Sequence, residues 1–160
     1  MKITYITGAT CTGKTTYARN ICNDEIIVSL DALSKAIRFT FDDFKLYTAD
    51  KVSIRPTVNN DKFLNFVKTY IDYLSVDYPD RNIIVEGCHF TPNEFLSAFP
   101  NAQIIALGIT DKSSALKQIN KKEWMKKLDD DVKNEYVNQI VKYSKELKNE
   151  PNIEYIEFAN

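Results

Sequence analysis

The chain has 160 residues, of which 44% are hydrophobic and 27% charged, and its formal net charge is −1. That size and balance fit one soluble globular domain and exclude a fibre or a disordered tail. A near-neutral chain offers polyanions no global attraction, so nucleic acid is possible as a partner but would need a local basic patch.

The opening segment, Met1 to Ile6, leads straight into a strand, and no apolar run reaches the length of a signal core or a membrane span, which points to the cytoplasm. Ile3 to Thr7 is β-rich and Thr15 to Cys22 has helical character, and the loop between them reads Gly8-Ala9-Thr10-Cys11-Thr12-Gly13-Lys14-Thr15. This matches G-x-x-x-x-G-K-[ST] in full, in the strand-loop-helix context that the phosphate-binding loop requires. Two of the chain's four glycines stand at its fixed positions. Gly8 and Gly13 permit the turn, and the amides from Ala9 to Thr16 converge on phosphate oxygens at a helix N-terminus. Lys14 adds a point charge for the β- and γ-phosphates and the Thr15 hydroxyl is placed for Mg²⁺, so the expected cofactors are ATP and Mg²⁺. Cys11 occupies a variable position of the motif.

Glu25 to Ser29 reads as a second strand and Asp31 to Phe39 as the following helix. Asp31 stands just past the strand end, either as the helix N-cap or as a carboxylate facing the phosphate loop. Lys35 and Arg38 follow it at four and seven residues, on one helical face that suits a phosphate-bearing acceptor. Arg55, before Pro56, is an ordinary loop arginine or a guanidinium clamp for the acceptor. Phe63, Phe66, Val67, Tyr70, Ile71 and Leu74 recur at helical spacing and predict a helix laid on the sheet.

The third strand, Asn82 to Glu86, runs into Gly87, Cys88 and His89. Glu86 would hold Mg²⁺ through water, orient the acceptor, or simply end the strand. His89, the chain's single histidine, is either a neutral hydrogen-bonding group or a catalytic one. The cysteines at 11, 22 and 88 have no paired spacing, so neither a disulfide framework nor a zinc site is expected. Ala102 to Ile109 reads as the fourth strand. Asp111 to Asn149 reads as two helical pieces broken near Leu128 to Asp131, with a mobile lid within 111–131, and Pro151 stops the helix before a last strand from Asn152 to Phe158. The result is an α/β chain: a three-layer P-loop NTPase fold, with a mostly parallel five-stranded sheet, helices on both faces, and ligands beyond the strands' carboxyl ends.

Neither an Asp-x-x-Gly after the third strand nor an Asn-Lys-x-Asp directly after a later one is present, which removes a GTPase switch; Asn120-Lys121-Lys122-Glu123 falls inside the predicted helix. Gly13-Lys14-Thr15-Thr16-Tyr17-Ala18-Arg19 instead resembles the phosphate loop and helix of polynucleotide 5′-kinases. Glu86-Gly87-Cys88-His89-Phe90-Thr91-Pro92 is similar to the E-G-V-H-x-x-P of 2-phosphoglycerate kinase-like enzymes, a group of small P-loop kinases that includes the zeta-toxin-like ones. The resemblance implies an ATP-dependent phosphotransferase in which Asp31 accepts the proton of the attacking hydroxyl. It also implies lid arginines on the transferring phosphate, where this chain has Lys117, Lys121 and Lys122 and no arginine after Arg81. Lysines in their place give a kinase; a lid unable to replace them would leave an ATPase or a nucleotide-binding module. The expected acceptor is the hydroxyl of a small metabolite or nucleotide, with a polynucleotide 5′-end as the alternative. The aromatic stretch from Phe39 to Tyr47 is interrupted by Asp42 and Asp43 rather than made basic, which favours the small molecule.

Overall fold

The computed structural model describes residues 1–41 and 60–158. Arg55 and the acidic-aromatic stretch from Asp42 to Tyr47 lie outside the described residues.

Short β-branched runs separated by helical ones give five parallel strands: β1 (Ile3–Gly8), β2 (Ile26–Ser29), β3 (Ile83–Glu86), β4 (Gln103–Gly108) and β5 (Glu154–Glu157), in the spatial order β2-β3-β1-β4-β5. Each crossover carries helix: α1 (Lys14–Ile21), α2 (Leu30–Thr40) and α3 (Asn60–Asp77), α4 (Pro92–Ala98), then α5 (Lys112–Asn120), α6 (Glu123–Lys126) and α7 (Asp130–Lys148). The order reverses at β1, whose neighbours are β3 and β4, so the cleft for a ligand opens at the carboxyl end of β1. Register fixes what meets there. Ser29 and Ile6 both lie level with Glu86, and Gly8 lies beside Leu107. Among the described residues no helix is long and apolar enough to cross a membrane.

Alternation along the strands sends Tyr5, Val85 and Ile104 to one face and Ile6, Ile84 and Ile105 to the other. The first set packs with Phe63, Val67 and Ile71 of α3 and Phe95 of α4, while Ala106 of the same face meets α5 and α7. The second set is covered by α1 through Ala18. Full burial of side chains such as Phe63 and Ile71 is worth about 1.5–3 kcal/mol each.

Four sequence expectations are corrected. Phe66 and Tyr70 do not face the sheet: they are 40% and 38% exposed. With about 100° between residues, the buried arc runs from Phe63 to Leu64 through Val67 and Ile71, which turns Phe66 and Tyr70 past its edge and brings Leu64 in at the other. The polar stretch after β4 forms three helices rather than two, because the chain also breaks at Lys121–Lys122, where Lys122 turns extended and allows Met125 to point inward. Asn120-Lys121-Lys122-Glu123 therefore spans a helix junction instead of lying within a helix. Helix α2 begins at Leu30, and its N-cap is Ser29, whose hydroxyl accepts from the Ala32 amide at 3.4 Å; Asp31 is not the cap. Helix α4 was not anticipated; it starts at a capping box in which Thr91 and Glu94 satisfy each other's amides, with Pro92 at its first turn.

Candidate functional site

The loop after β1 is built by backbone that only particular residues tolerate. Gly8 has φ 139°, and a Cβ there would stand 2.1 Å from the Leu107 carbonyl oxygen of the neighbouring strand. Gly13, at φ 81°, caps α1 in the left-handed region and lies against the Phe158 ring. Cys11 is left-handed at φ 66° despite its side chain, a conformation a non-glycine residue holds only when its surroundings impose it. Its thiol donates to Met125 Sδ at 3.5 Å, tying the loop to α6, and burial pushes the thiol up, away from the reactive thiolate.

Lys14 opens α1 and is 8% exposed, its ammonium donating to the Ala9 carbonyl at 2.6 Å; the Thr12 hydroxyl donates to the same oxygen at 2.9 Å. The loop is thereby closed on itself with its cation held at the phosphate side. The Thr15 hydroxyl donates to Glu86 Oε2 at 3.1 Å across the β1–β3 junction. Glu86 is 2% exposed, and a carboxylate so far out of water needs partners or a cation. A hydroxyl and a carboxylate oxygen side by side at the phosphate loop fit Mg²⁺, which takes oxygen ligands and retains water. Thr15 and Glu86 are the residues that would hold it.

A polar cavity of about 370 Å³ joins these groups. Thr10, Cys11, Gly13, Lys14, Thr15 and Thr16 form its floor, Asp31 and Glu86 one wall, and Gln118, Lys121 and Lys122 the other. Gly8 and Ala9 are too deep to line it, but they carry the turn. Lys117 does not reach it: Gln118, in the last turn of α5, and Lys121 and Lys122, at the break after it, line the cavity, while Lys117 is exposed. Lys35 and Arg38 are exposed on α2 and do not line it either; the Arg38 guanidinium lies 5.5 Å from the Phe39 ring centroid.

On the other side of Gly13 and Thr16 a second cavity of about 370 Å³ is walled by Leu107, Ile156 and Phe158, with Tyr17, Asn20 and Glu157 at its polar edge. Gln118 lines both cavities. A flat heterocycle in the apolar cavity would stand next to phosphates in the polar one. Gln118, Asn20 and Phe158 had not been singled out from sequence. No local sequence signal marks Gln118, which the end of α5 brings to the loop; α1 carries Asn20, and the parallel placement of β5 brings in Phe158.

His89 is 1% exposed, set edge-on to Phe63 with centroids 5.3 Å apart, and its Nδ1 lies 3.7 Å from Asp31 Oδ1. Burial pushes its pKa down to about 4; Asp31 resists this and Lys14 adds to it, so the imidazole is neutral near pH 7. The loop carrying Cys88 and His89 is fixed by the buried Tyr5 hydroxyl, which lies 3.2 Å from the Gly87 carbonyl, 3.0 Å from the Phe90 carbonyl and accepts from the Phe90 amide at 3.3 Å.

No family model and no curated protein matches the chain. Solved structures do. A shikimate kinase from Acinetobacter baumannii in complex with shikimate superposes with TM-score 0.62 at 15% identity, covering 100% of this chain and 85% of that one. A gluconokinase from Sinorhizobium meliloti 1021 gives 0.60 at 10% identity, over 99% and 83%. The Deinococcus radiodurans tunicamycin resistance protein gives 0.59 at 12%, over 98% and 85%. At these identities the likeness is one of fold: the chain shares the α/β architecture of these structures over nearly its whole length.

Proposed function

We propose that the chain is an ATP-dependent kinase that moves the γ-phosphoryl group to a hydroxyl of a small molecule. One observation carries the reading: a single cavity brings the phosphate loop, the Thr15–Glu86 pair, Asp31 and the Lys121–Lys122 turn together. In this reading the apolar cavity beyond Gly13 takes the base, and the loop amides and Lys14 take the phosphates. Asp31, beyond the end of β2, accepts the proton of the acceptor hydroxyl as its oxygen attacks the γ-phosphorus and the β-phosphate oxygen of ADP leaves. Mg²⁺ at Thr15 and Glu86 supplies charge neutralisation when bound. Lys121 and Lys122 stand where charge gathers, and as point charges they neutralise it without the guanidinium fork. Residues 111–131 act as the lid that brings them in. Metabolite kinases among the structures of like fold support a small acceptor over a polynucleotide end.

ADP release, followed with panels of hydroxylated metabolites, nucleosides and 5′-hydroxyl oligonucleotides, tests this. An acceptor that raises turnover sharply and emerges phosphorylated is the expected result, because water is a poorly aligned substitute for a bound hydroxyl. ATP hydrolysis that no acceptor stimulates would make the chain an ATPase or nucleotide-binding module.

A further inference from the structure

Asp31, Cys88 and His89 come from two crossovers, and one ligand atom from each lies within 4.8 Å of the other two. We infer that these three side chains form a binding site for a thiophilic divalent cation of the Zn²⁺ type, on the acceptor side of the phosphate cavity. A thiol, an imidazole and a carboxylate are the donor types that Zn²⁺ takes, whereas Mg²⁺ demands oxygen. Three protein ligands leave a fourth position open, and here it would open toward the cavity that Asp31 lines.

Ligands around a tetrahedral Zn²⁺ stand roughly 3.5 Å apart, from bonds of about 2.0–2.3 Å. The His89–Asp31 pair, at 3.7 Å, is already at that separation. The remaining adjustment falls on Asp31, whose side chain is 57% exposed and can change rotamer, while Cys88 and His89 belong to the loop that Tyr5 clamps. The neutral imidazole has a lone pair to give. Cys88 must lose its proton: burial, Asp31 and Glu86 hold the thiol up, so one proton passes to the buffer as the metal–sulfur bond forms. The Lys14 charge acts on both His89 and Cys88 and opposes a cation there, which sets the affinity below that of a structural zinc site. The paired spacing looked for in sequence misses this arrangement, because its third ligand lies on another crossover.

Metal held by Asp31 would take the carboxylate away from the acceptor hydroxyl and stop transfer without displacing nucleotide. That consequence rests on the kinase reading; the binding does not. Co²⁺, a spectroscopic substitute for Zn²⁺, is titrated into the full chain without nucleotide. The expected result is one Co²⁺ per chain, a thiolate-to-cobalt band in the near ultraviolet, and displacement by Zn²⁺. Cys88→Ser, shown folded by circular dichroism, should lose that band and bind Zn²⁺ at least ~10-fold more weakly. The Cys11→Ser/Cys22→Ser double variant, which keeps only Cys88, should retain it. Absence of the band in wild type, its survival in Cys88→Ser, or its loss in the double variant overturns the site. Saturating Zn²⁺ should also lower acceptor-dependent turnover at least ~10-fold with ATP affinity unchanged. Binding through Cys88 without that inhibition would leave the site standing and remove Asp31 as the base.

Discussion

Asp31 can be tested as a base because the capping of α2 belongs to its neighbour. Ser29 accepts the Ala32 amide, so Asp31→Asn leaves the cap intact, and among the described residues the Asp31 carboxylate approaches His89 Nδ1 at 3.7 Å. Acceptor-dependent kcat should therefore fall roughly 10²-fold or more, the scale of a lost general base, with thermal melting and ATP affinity near wild type. Ser29→Ala is the counterpart, expected to cost about 1 kcal/mol of stability and little turnover; both are read by melting beside steady-state kinetics. His89 gives a pH signature of its own. With a folded pKa of about 4 against an ordinary 6.5, the unfolded chain binds the proton more readily. Its contribution is thus full above pH 6.5 and is lost as pH falls toward 4. Urea unfolding with chelator present should show wild type losing about 2 kcal/mol more than His89→Gln between pH 7.5 and pH 5. At this scale the phosphate loop was legible in sequence because its geometry is local. The meeting of Asp31 with Cys88 and His89 was not, since it depends on the pairing of β2 with β3 across more than fifty residues.

Helix α6 is four residues long, and it is held by what one of them touches. Met125 is fully buried against Cys11 and the α5–α7 core, so the turn at Lys121–Lys122 is fixed from below while its lysines face the phosphate cavity. Met125→Ala should cost about 2–5 kcal/mol by leaving a cavity. Because the turn is loosened along with the core, kcat should also fall while the protein is still folded. Lys121→Ala/Lys122→Ala should lower kcat at least ~10-fold with little change in melting, since both side chains are exposed. Equal turnover by that double variant would remove the lid lysines from the chemistry. The break that makes the turn was hidden in sequence. Asn120 to Glu123 contains neither glycine nor proline, and what ends α5 there is the tertiary demand of Met125 and not a local stop signal. Helix α4 is the reverse case: its Thr91-Pro92-Asn93-Glu94 start is a plain local capping signature, of which the kinase-like motif takes in Thr91 and Pro92 alone.

On the scale of the whole molecule, the fold brings the proposed nucleotide groups together from different elements of one sheet and the helices that cover it. The phosphate loop hangs from β1, Glu86 from β3, Phe158 from the end of β5, and the lysine turn from α5 and α6. A nucleotide bridging both cavities through Gln118 would contact all four at once, and none of those contacts exists in the unfolded chain. Binding must then appear as global stability. At one hundred times its Kd, a ligand that binds only the folded state adds about 2.7 kcal/mol, which for a domain of this size raises Tm by roughly 5–10 °C. MgATP should produce that rise in wild type. Lys14→Ala should abolish most of it, because the lysine contributes to phosphate binding, while among the described residues its loss removes from the folded chain the bond to the Ala9 carbonyl. Asp31→Asn should keep the full rise, since it acts on the acceptor. Differential scanning fluorimetry of the three proteins with and without MgATP separates the cases, and an equal rise in wild type and Lys14→Ala would mean that nucleotide does not bind through the phosphate loop.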